Sequence, residues 1–175
     1  MLSPPDHARD VRVAEYRAVS GREVFPVAEA TLETGPARAL WGWWQSAATA
    51  GRVPERGSFD IAEYPLLAAH LFLVEPIPGS DGEGYRLRLA GEAFTGMFQR
   101  RKGHVWRRDA APLDRAMAGY FDFVAEAGRP FRSIGRLRCA WSDWFAFESL
   151  VCPLADRGAT LLMGAAAPID DEEPL

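Results

Sequence analysis

The hydrophobic pattern changes its period at Gly91, and this change constrains the fold more than any other feature of the chain. Residues 85–91 read YRLRLAG, in which large apolar side chains alternate with arginines. A period of two predicts a strand with one buried and one solvated face. Beyond the glycine, Phe94, Met97 and Phe98 follow a helical spacing instead. The sequence therefore predicts a strand that leads directly into a helix, with space for a cavity where the two meet.

Composition and charge limit the class of protein. The chain has 175 residues and a formal net charge of −4, which fits one domain with an extension and a core of its own. An acidic balance argues against binding to nucleic acid, for which a basic surface is typical. The first residues lack a charged segment followed by about 7–15 apolar residues, and no run approaches the roughly 20 apolar residues of a membrane span. We therefore expect a cytoplasmic protein that contacts neither a membrane nor nucleic acid.

Turn and capping residues place the other elements. Pro36 suits the first position of a helix and Gly51 its end, and Trp43 lies off the apolar stripe between them. Residues 11–33 fit either a hairpin, whose second strand Pro26 confines to a sheet edge, or a short helix, and both remain open. The predicted elements are a helix over 36–50, strands over 71–74 and 85–90, helices over 92–99 and 112–127, and strands over 131–139, 144–154 and 159–168.

This order predicts an α+β fold, a five-stranded antiparallel sheet with helices packed over one face and an N-terminal helical extension. In the hairpin of the strands over 131–139 and 144–154, a turn centred at Ser142 places Arg136 opposite Glu148, so that opposite charges match. Cys139 and Cys152 then face opposite sides of the sheet, and we expect no disulfide between them.

The element order resembles the PAS fold and, more narrowly, a PAS-like family of short bacterial proteins. The resemblance covers about residues 37–168 and implies a domain over 36–168, after a partly flexible extension over 1–35 and before an acidic tail over 169–175. It implies a sensory or regulatory module that binds a small molecule and signals by association with another protein. At 99–103 the chain reads QRRKG, where the family often has a turn with an acidic residue. The matching segments are LWGWW at 40–44, VPER at 53–56, LFLV at 71–74, YRLRLAG at 85–91 and ESLVCPL at 148–154.

We expect the cavity between the inner sheet face and the two central helices. Small inward residues, including Gly135 and Ala165, would leave space at its centre, and the two serines could supply polar contacts. An apolar stripe of this kind also fits a completely filled core, and both interpretations remain open. The candidate lining residues are Leu87, Leu89, Phe94, Met97, Met117, Tyr120, Phe121, Ser133, Leu137, Phe145, Phe147, Ser149 and Met163.

Two surface features suggest contacts with other molecules. The basic cluster after the 92–99 helix is either a solvated loop or a contact for an anionic ligand or acidic partner, and its members are Arg100, Arg101, Lys102, His104 and Arg107. The outer sheet face mixes apolar residues with arginines, which predicts that the tryptophan-containing helix of the same chain or of a second copy covers it. The candidate dimer-face residues are Trp41, Trp43, Trp44, Ile134, Trp144 and Leu150.

No catalytic motif or metal-ligand spacing occurs in the sequence. His70 enters an apolar strand and fits a structural role, and Cys139 fits a small core residue better than a reactive thiol. We therefore expect a non-enzymatic homodimer that needs no cofactor, binds a small molecule and acts on another signalling protein. Two alternatives remain: a constitutive interaction adaptor with a filled core, and a small cone-shaped enzyme. The enzyme would need an inward carboxylate or histidine, for example Glu148 beside a histidine in a cavity.

Overall fold

A computed structural model describes residues 6–28, 31–79, 83–138 and 144–170. Two short 3₁₀ turns lie at Arg56–Ser58 and Ile61–Glu63. The helices of these ranges are α1 (Val11–Ser20), α2 (Gly35–Ala47), α3 (Pro65–Ala68), α4 (Glu92–Phe98) and α5 (Pro112–Ala127). The strands are β1 (Glu23–Pro26), β2 (Leu71–Pro76), β3 (Gly84–Ala90), β4 (Val105–Arg107), β5 (Phe131–Arg138), β6 (Trp144–Asp156) and β7 (Ala159–Pro168).

The strands form one antiparallel sheet in the order β1-β5-β6-β7-β2-β3-β4. Its centre consists of the five predicted strands, in which the β2–β3 hairpin joins the β5–β6–β7 meander through pairing of β2 with β7. The predicted strand number was too low for the described residues, because the short strands β1 and β4 extend the two edges. With this element order and pairing, the fold is α+β and PAS-like.

The segment that the sequence left open contains a helix followed by a strand. Asp10 caps the first turn of α1, since its carboxylate accepts a hydrogen bond from the Arg12 N–H at 2.8 Å. Gly21 ends the helix in the left-handed conformation, with φ of 68°. Pro26 then closes β1, which pairs with β5 at the edge of the sheet, where a residue without an N–H is tolerated.

Helices cover both faces of the sheet. The predicted fold class had helices over one face, and α2 of the same chain covers the outer face, which was one of the two alternatives predicted for it. The cavity face, as we call it, packs against α4 and α5, and α1 packs on α5. The opposite face, the α2 face, lies under α2, whose Ala37, Leu40 and Trp43 are buried. Trp43 was predicted to lie off the apolar stripe of this helix. It instead lies on the same face as Ala37 and Leu40, at intervals of three residues, and is at the centre of the contact between α2 and the sheet. Its side chain is only 7% exposed. None of the helices in the described ranges is long and apolar enough to cross a bilayer.

The pairing corrects the predicted register of the β5–β6 hairpin. Glu148 lies opposite Ile134 and Arg136 lies opposite Ala146, so the predicted register was wrong by two residues. A shift of two leaves every side chain on its predicted face. The turn itself and Cys139 lie outside the described residues, so the expected absence of a disulfide stays a prediction. Cys152 is fully buried beneath α2, and burial raises the pKa of its thiol well above the usual value.

Three residues that were predicted to face the cavity lie on the other side of the sheet: Leu89, Met163 and Ala165. Leu73 pairs with Leu89 and Val74 with Leu87, so β3 has one extra residue at this point. This bulge turns Leu89 to the α2 face, while Leu87 stays on the cavity face. Ser149 of β6 pairs with Ala166 of β7, and Cys152 of β6 pairs with Met163 of β7. Met163 and Ala165, two residues further along β7, therefore lie on the α2 face.

Candidate functional site

A cavity of about 260 Å³ lies between the cavity face of the sheet and the helices α1, α4 and α5. We call it the arginine cavity, because three arginines contribute to an otherwise neutral wall. Its lining residues are Tyr16, Arg22, Phe72, Phe94, Met97, Phe98, Gln99, Arg100, Trp106, Leu113, Met117, Tyr120, Phe121, Leu137, Arg138, Ser149 and Val151.

The structure brings together about half of the predicted lining residues. Those at the cavity wall are Phe94, Met97, Met117, Tyr120, Phe121, Leu137 and Ser149. Four more, Leu87, Ser133, Phe145 and Phe147, belong to β3, β5 and β6 but do not line the cavity. Leu89 and Met163 lie instead in a smaller cavity of about 190 Å³ on the α2 face, so the bulge and the β7 pairing remove them from the predicted group.

Arg22 is a wall residue that the sequence analysis missed. It follows Gly21, and its Nη1 donates a hydrogen bond to the Tyr16 hydroxyl at 2.8 Å. Its guanidinium carbon lies 4.9 Å from the ring centre of Phe147 and 5.3 Å from that of Phe98, distances at which a cation attracts an aromatic face. Only a clear strand pattern in residues 11–33 could have predicted this position. The apolar residues of that segment show no clear period.

Gly135 makes the position of Arg22 possible. A Cβ atom at residue 135 would lie 2.8 Å from Arg22 Cγ and 2.9 Å from Phe147 Cε1. Real Cβ atoms almost never approach other atoms so closely. The absent side chain therefore lets the stem of Arg22 lie against β5, with its charged head at the cavity.

Tyr120 lines the same cavity and has a buried, unsatisfied hydroxyl. The side chain is 1% exposed, its ring stacks on that of Tyr16 at 4.3 Å, and its hydroxyl has no hydrogen-bond partner in the described part of the chain. Burial raises the pKa of Tyr120 well above the usual value, so the hydroxyl keeps its proton. A buried donor without a partner costs free energy unless another molecule accepts its hydrogen bond.

The basic cluster divides between the cavity and the surface. Arg100 lines the arginine cavity, whereas Arg101 and Lys102 are exposed in the turn that follows α4. His104 packs edge-on against Trp106 at 4.7 Å, and burial and the charge of Arg100 lower its pKa, against the opposite effect of Asp114. The remaining member, Arg107, is exposed and pairs with Asp109, with its Nε 3.0 Å from Oδ1.

The candidate dimer-face residues do not form one exposed surface but differ in burial and position. Leu150 is fully buried beneath α2 together with Trp43. Trp41 and Trp44 are half-buried, and Trp44 Nε1 donates a hydrogen bond to the Pro153 carbonyl at 3.0 Å. Ile134 is half-buried between β1 and β6, whereas Trp144 is 58% exposed at the start of β6.

Glu148 is a fully buried carboxylate on the α2 face, away from the arginine cavity. Its oxygens accept hydrogen bonds from the Thr34 N–H at 2.8 Å, the Thr34 hydroxyl at 2.7 Å and Arg132 Nε at 2.6 Å. The predicted partner Arg136 was therefore wrong, and Arg132 takes its place. These bonds connect β5 and β6 to the start of α2, which is a structural role.

His70 and the potential metal ligands can be placed in the same way. A ring nitrogen of His70 lies 3.0 Å from the Ala166 carbonyl oxygen, which fits the structural role expected for it. Across the described ranges, no three His, Cys, Asp or Glu side chains are grouped so that they could hold a metal ion.

Comparison with known proteins yields similarity in solved structures alone. No protein-family model matches the chain, and no curated protein matches it either. An RNA-binding light-oxygen-voltage receptor is 14% identical, with a TM-score of 0.43 over 85% of this chain. A LOV protein of Rhodobacter sphaeroides is 16% identical, with a TM-score of 0.41 over 65% of this chain. The chain spans 38% of the first protein and 70% of the second. The PAS-like character of the fold is seen in its element order and strand pairing.

Proposed function

We propose that this chain is a non-enzymatic sensor module that binds a small molecule in the arginine cavity. The observation that carries the proposal is the unpartnered, fully buried hydroxyl of Tyr120 in an aromatic wall that also contains Arg22. Polar groups placed at a few points of an apolar cavity are typical of ligand sites. The hydroxyl oxygen is itself buried, so a small shift of the cavity wall would bring it into contact with the ligand. A ligand that then accepts its hydrogen bond would remove the cost of the unsatisfied donor.

The size of the cavity favours a sensor over an adaptor with a filled core. A volume of about 260 Å³ remains between sheet and helices, although protein interiors are otherwise packed as densely as organic crystals. This volume is slightly below the ~300–1,000 Å³ of pockets for drug-sized molecules. The ligand we propose therefore contains one or two rings.

Helix α4 provides a route from the cavity to the surface. Phe94 and Met97 on this helix line the cavity, and the exposed Arg101 and Lys102 lie in the turn that begins after it with Gln99. A ligand that binds one position of α4 more tightly than another shifts the population toward that position. We propose that this shift changes the surface that the basic turn presents to another signalling protein.

Native mass spectrometry and a thermal-shift screen of the full chain test the ligand proposal. We expect a co-purified compound, or at least one compound from a library of neutral, anionic and cationic ring molecules that raises the melting temperature. Ser149→Leu fills the cavity and should abolish this effect, whereas the control Ser149→Ala keeps the space open. If no compound binds, or if both variants respond like the wild type, the sensor proposal is wrong and the adaptor is favoured.

Self-association is a separate proposal that rests on the exposed Trp144. We propose a homodimer in which this side chain is buried against the second copy. Analytical ultracentrifugation of the wild type and of Trp144→Glu tests it. A dimer that becomes a monomer in the variant supports this contact, and the same mass for both proteins refutes it.

A further inference from the structure

We infer that the arginine cavity takes a small aromatic oxyanion, namely an aromatic carboxylate or phosphate whose negative group is bound by Arg22, Arg100 and Arg138. The inference rests on the proposed function of the cavity as a ligand site and adds the chemical class of the ligand. It follows from the charge of the wall, the aromatic rings beside it and the unsatisfied hydroxyl within it.

The three guanidinium groups concentrate positive charge in a protein whose net charge is −4. The cavity wall contains no aspartate or glutamate among the residues that the structure describes. None of the ion pairs formed between described residues involves the three arginines. Other arginines of the chain do pair, for example Arg108 with Asp122 and Arg132 with Glu148.

Arginines that share a cavity and form no ion pair with another described residue are suited to oxyanions. The planar guanidinium matches the geometry of carboxylate and phosphate groups and binds either through two parallel hydrogen bonds. Arg22 and Arg100 are half-buried while Arg138 is exposed, so the anion would lie at the mouth of the cavity. Partial removal of water strengthens such charge-assisted bonds compared with bulk solvent.

The interior of the cavity is suited to an aromatic ring. Phe94, Trp106 and Phe121 contribute rings to its wall, and a bound ring could pack edge-to-face or offset-stacked against them. The Tyr120 hydroxyl lies close enough to Arg22 for the arginine charge to affect its pKa. This protonated hydroxyl can donate a hydrogen bond to a ring substituent or to the anion itself.

Matched pairs of charged and neutral probes test the inference by isothermal titration calorimetry with the full chain. The pairs are benzoate with benzamide and 2-naphthoate with 2-naphthamide, and phenyl phosphate is compared with benzoate to distinguish the two anionic groups. We expect at least one anion to bind about tenfold more tightly than its neutral partner, as for a charge-assisted hydrogen bond. Added salt should reduce the affinity for the anion but not for the amide.

Variants assign the effect to the cavity. Arg100→Gln should weaken anion binding about tenfold and leave amide binding within twofold, and Arg22→Gln should do the same if it folds. Arg136→Gln removes an exposed arginine from the same strand as Arg138 without touching the cavity, so it should change nothing. Tyr120→Phe should weaken binding and leave the unliganded protein as stable as the wild type, whereas a structural hydroxyl would lower its stability.

Each outcome bears on the inference. Amides that bind as tightly as the anions, or anion binding that Arg100→Gln leaves unchanged, would overturn it while the sensor proposal remains. No binding by any anion also overturns it. The library screen, which includes neutral and cationic compounds, then shows whether the sensor proposal fails as well.

Discussion

Substitution of Gly91 by alanine tests the junction between β3 and α4. A Cβ atom at this position would lie 2.3 Å from the Ala69 carbonyl oxygen and 2.4 Å from that of Ala68. Both are main-chain atoms, so no side-chain rotation relieves the clash. The Ala69 oxygen also accepts hydrogen bonds from the N–H groups of Ala93 at 2.8 Å and Phe94 at 3.2 Å. These are first-turn donors of α4, which have no partner within the helix itself.

The expected cost of Gly91→Ala follows from these contacts. Overpacking of a tight site costs about 1–3 kcal/mol, and each weakened hydrogen bond adds about 0.5–1.5 kcal/mol. We therefore expect the free energy of unfolding to fall by roughly 3 kcal/mol. Urea denaturation followed by tryptophan fluorescence measures this change through the midpoint at constant slope.

Gly96→Ala is the matched control within the same helix. No heavy atom lies within 4 Å of a Cβ at residue 96, and alanine in a helix interior is about 0.5–1 kcal/mol more stable than glycine. The two variants should therefore have effects of opposite sign. A loss below about 1 kcal/mol for Gly91→Ala, or an equal loss for both variants, would refute the argument from close approach.

Three further predictions concern the α2 face and the basic turn. Leu150→Glu places an unpaired carboxylate beneath α2 and should lower the free energy of unfolding by at least about 3 kcal/mol in urea denaturation. The control Leu66→Glu changes a side chain that is 89% exposed and should stay within about 0.5 kcal/mol of the wild type. Glu148→Gln should lower the free energy of unfolding by about 3 kcal/mol, because Arg132 loses a buried charged partner. A loss below about 1 kcal/mol would contradict the structural role of Glu148 in connecting β5 and β6 to α2. The pKa of His104 lies below 6.5 in the folded protein, chiefly through burial, so the unfolded chain binds more protons and stability should fall as the pH drops below 6.5. His104→Gln should reduce this loss of unfolding free energy between pH 7.5 and about 5.5. If the stability of the variant depends on pH as strongly as that of the wild type, His104 is not the cause.

The elements that the sequence predicted best have strong local signals. Pro112 at the start of α5 and Gly128 after its end bound the helix where expected, and the glycine adopts the left-handed conformation with φ of 63°. Strand β7 spans Ala159–Pro168 as predicted. Such boundaries depend on backbone requirements of single residues, which are visible in the sequence.

The face of the sheet on which each side chain lies, and the register of the strands, were harder to predict because both depend on pairing between strands. Residues 161–167 of β7 are buried on both faces, so their side chains show no alternation from which a face could be assigned. The extra residue in β3 is equally hidden, because YRLRL keeps its period through the bulge. A register shift of two preserves both faces, so the match of Arg136 with Glu148 could not exclude the observed pairing.

Gly164 and Gly135 explain why the arginine cavity includes residues that could not be predicted from the apolar pattern of the sheet. A Cβ at Gly164 would lie 2.0 Å from Phe72 Cζ, and one at Gly135 would lie 2.8 Å from Arg22 Cγ. At both positions the strand has no side chain on the cavity face, and a side chain from another segment packs against its backbone. Phe72 comes from β2, while Arg22 comes from the segment between α1 and β1. The polar character of the cavity therefore depends on the pairing of β1 with β5, because β1 begins directly after Arg22 and its pairing holds the arginine over Gly135.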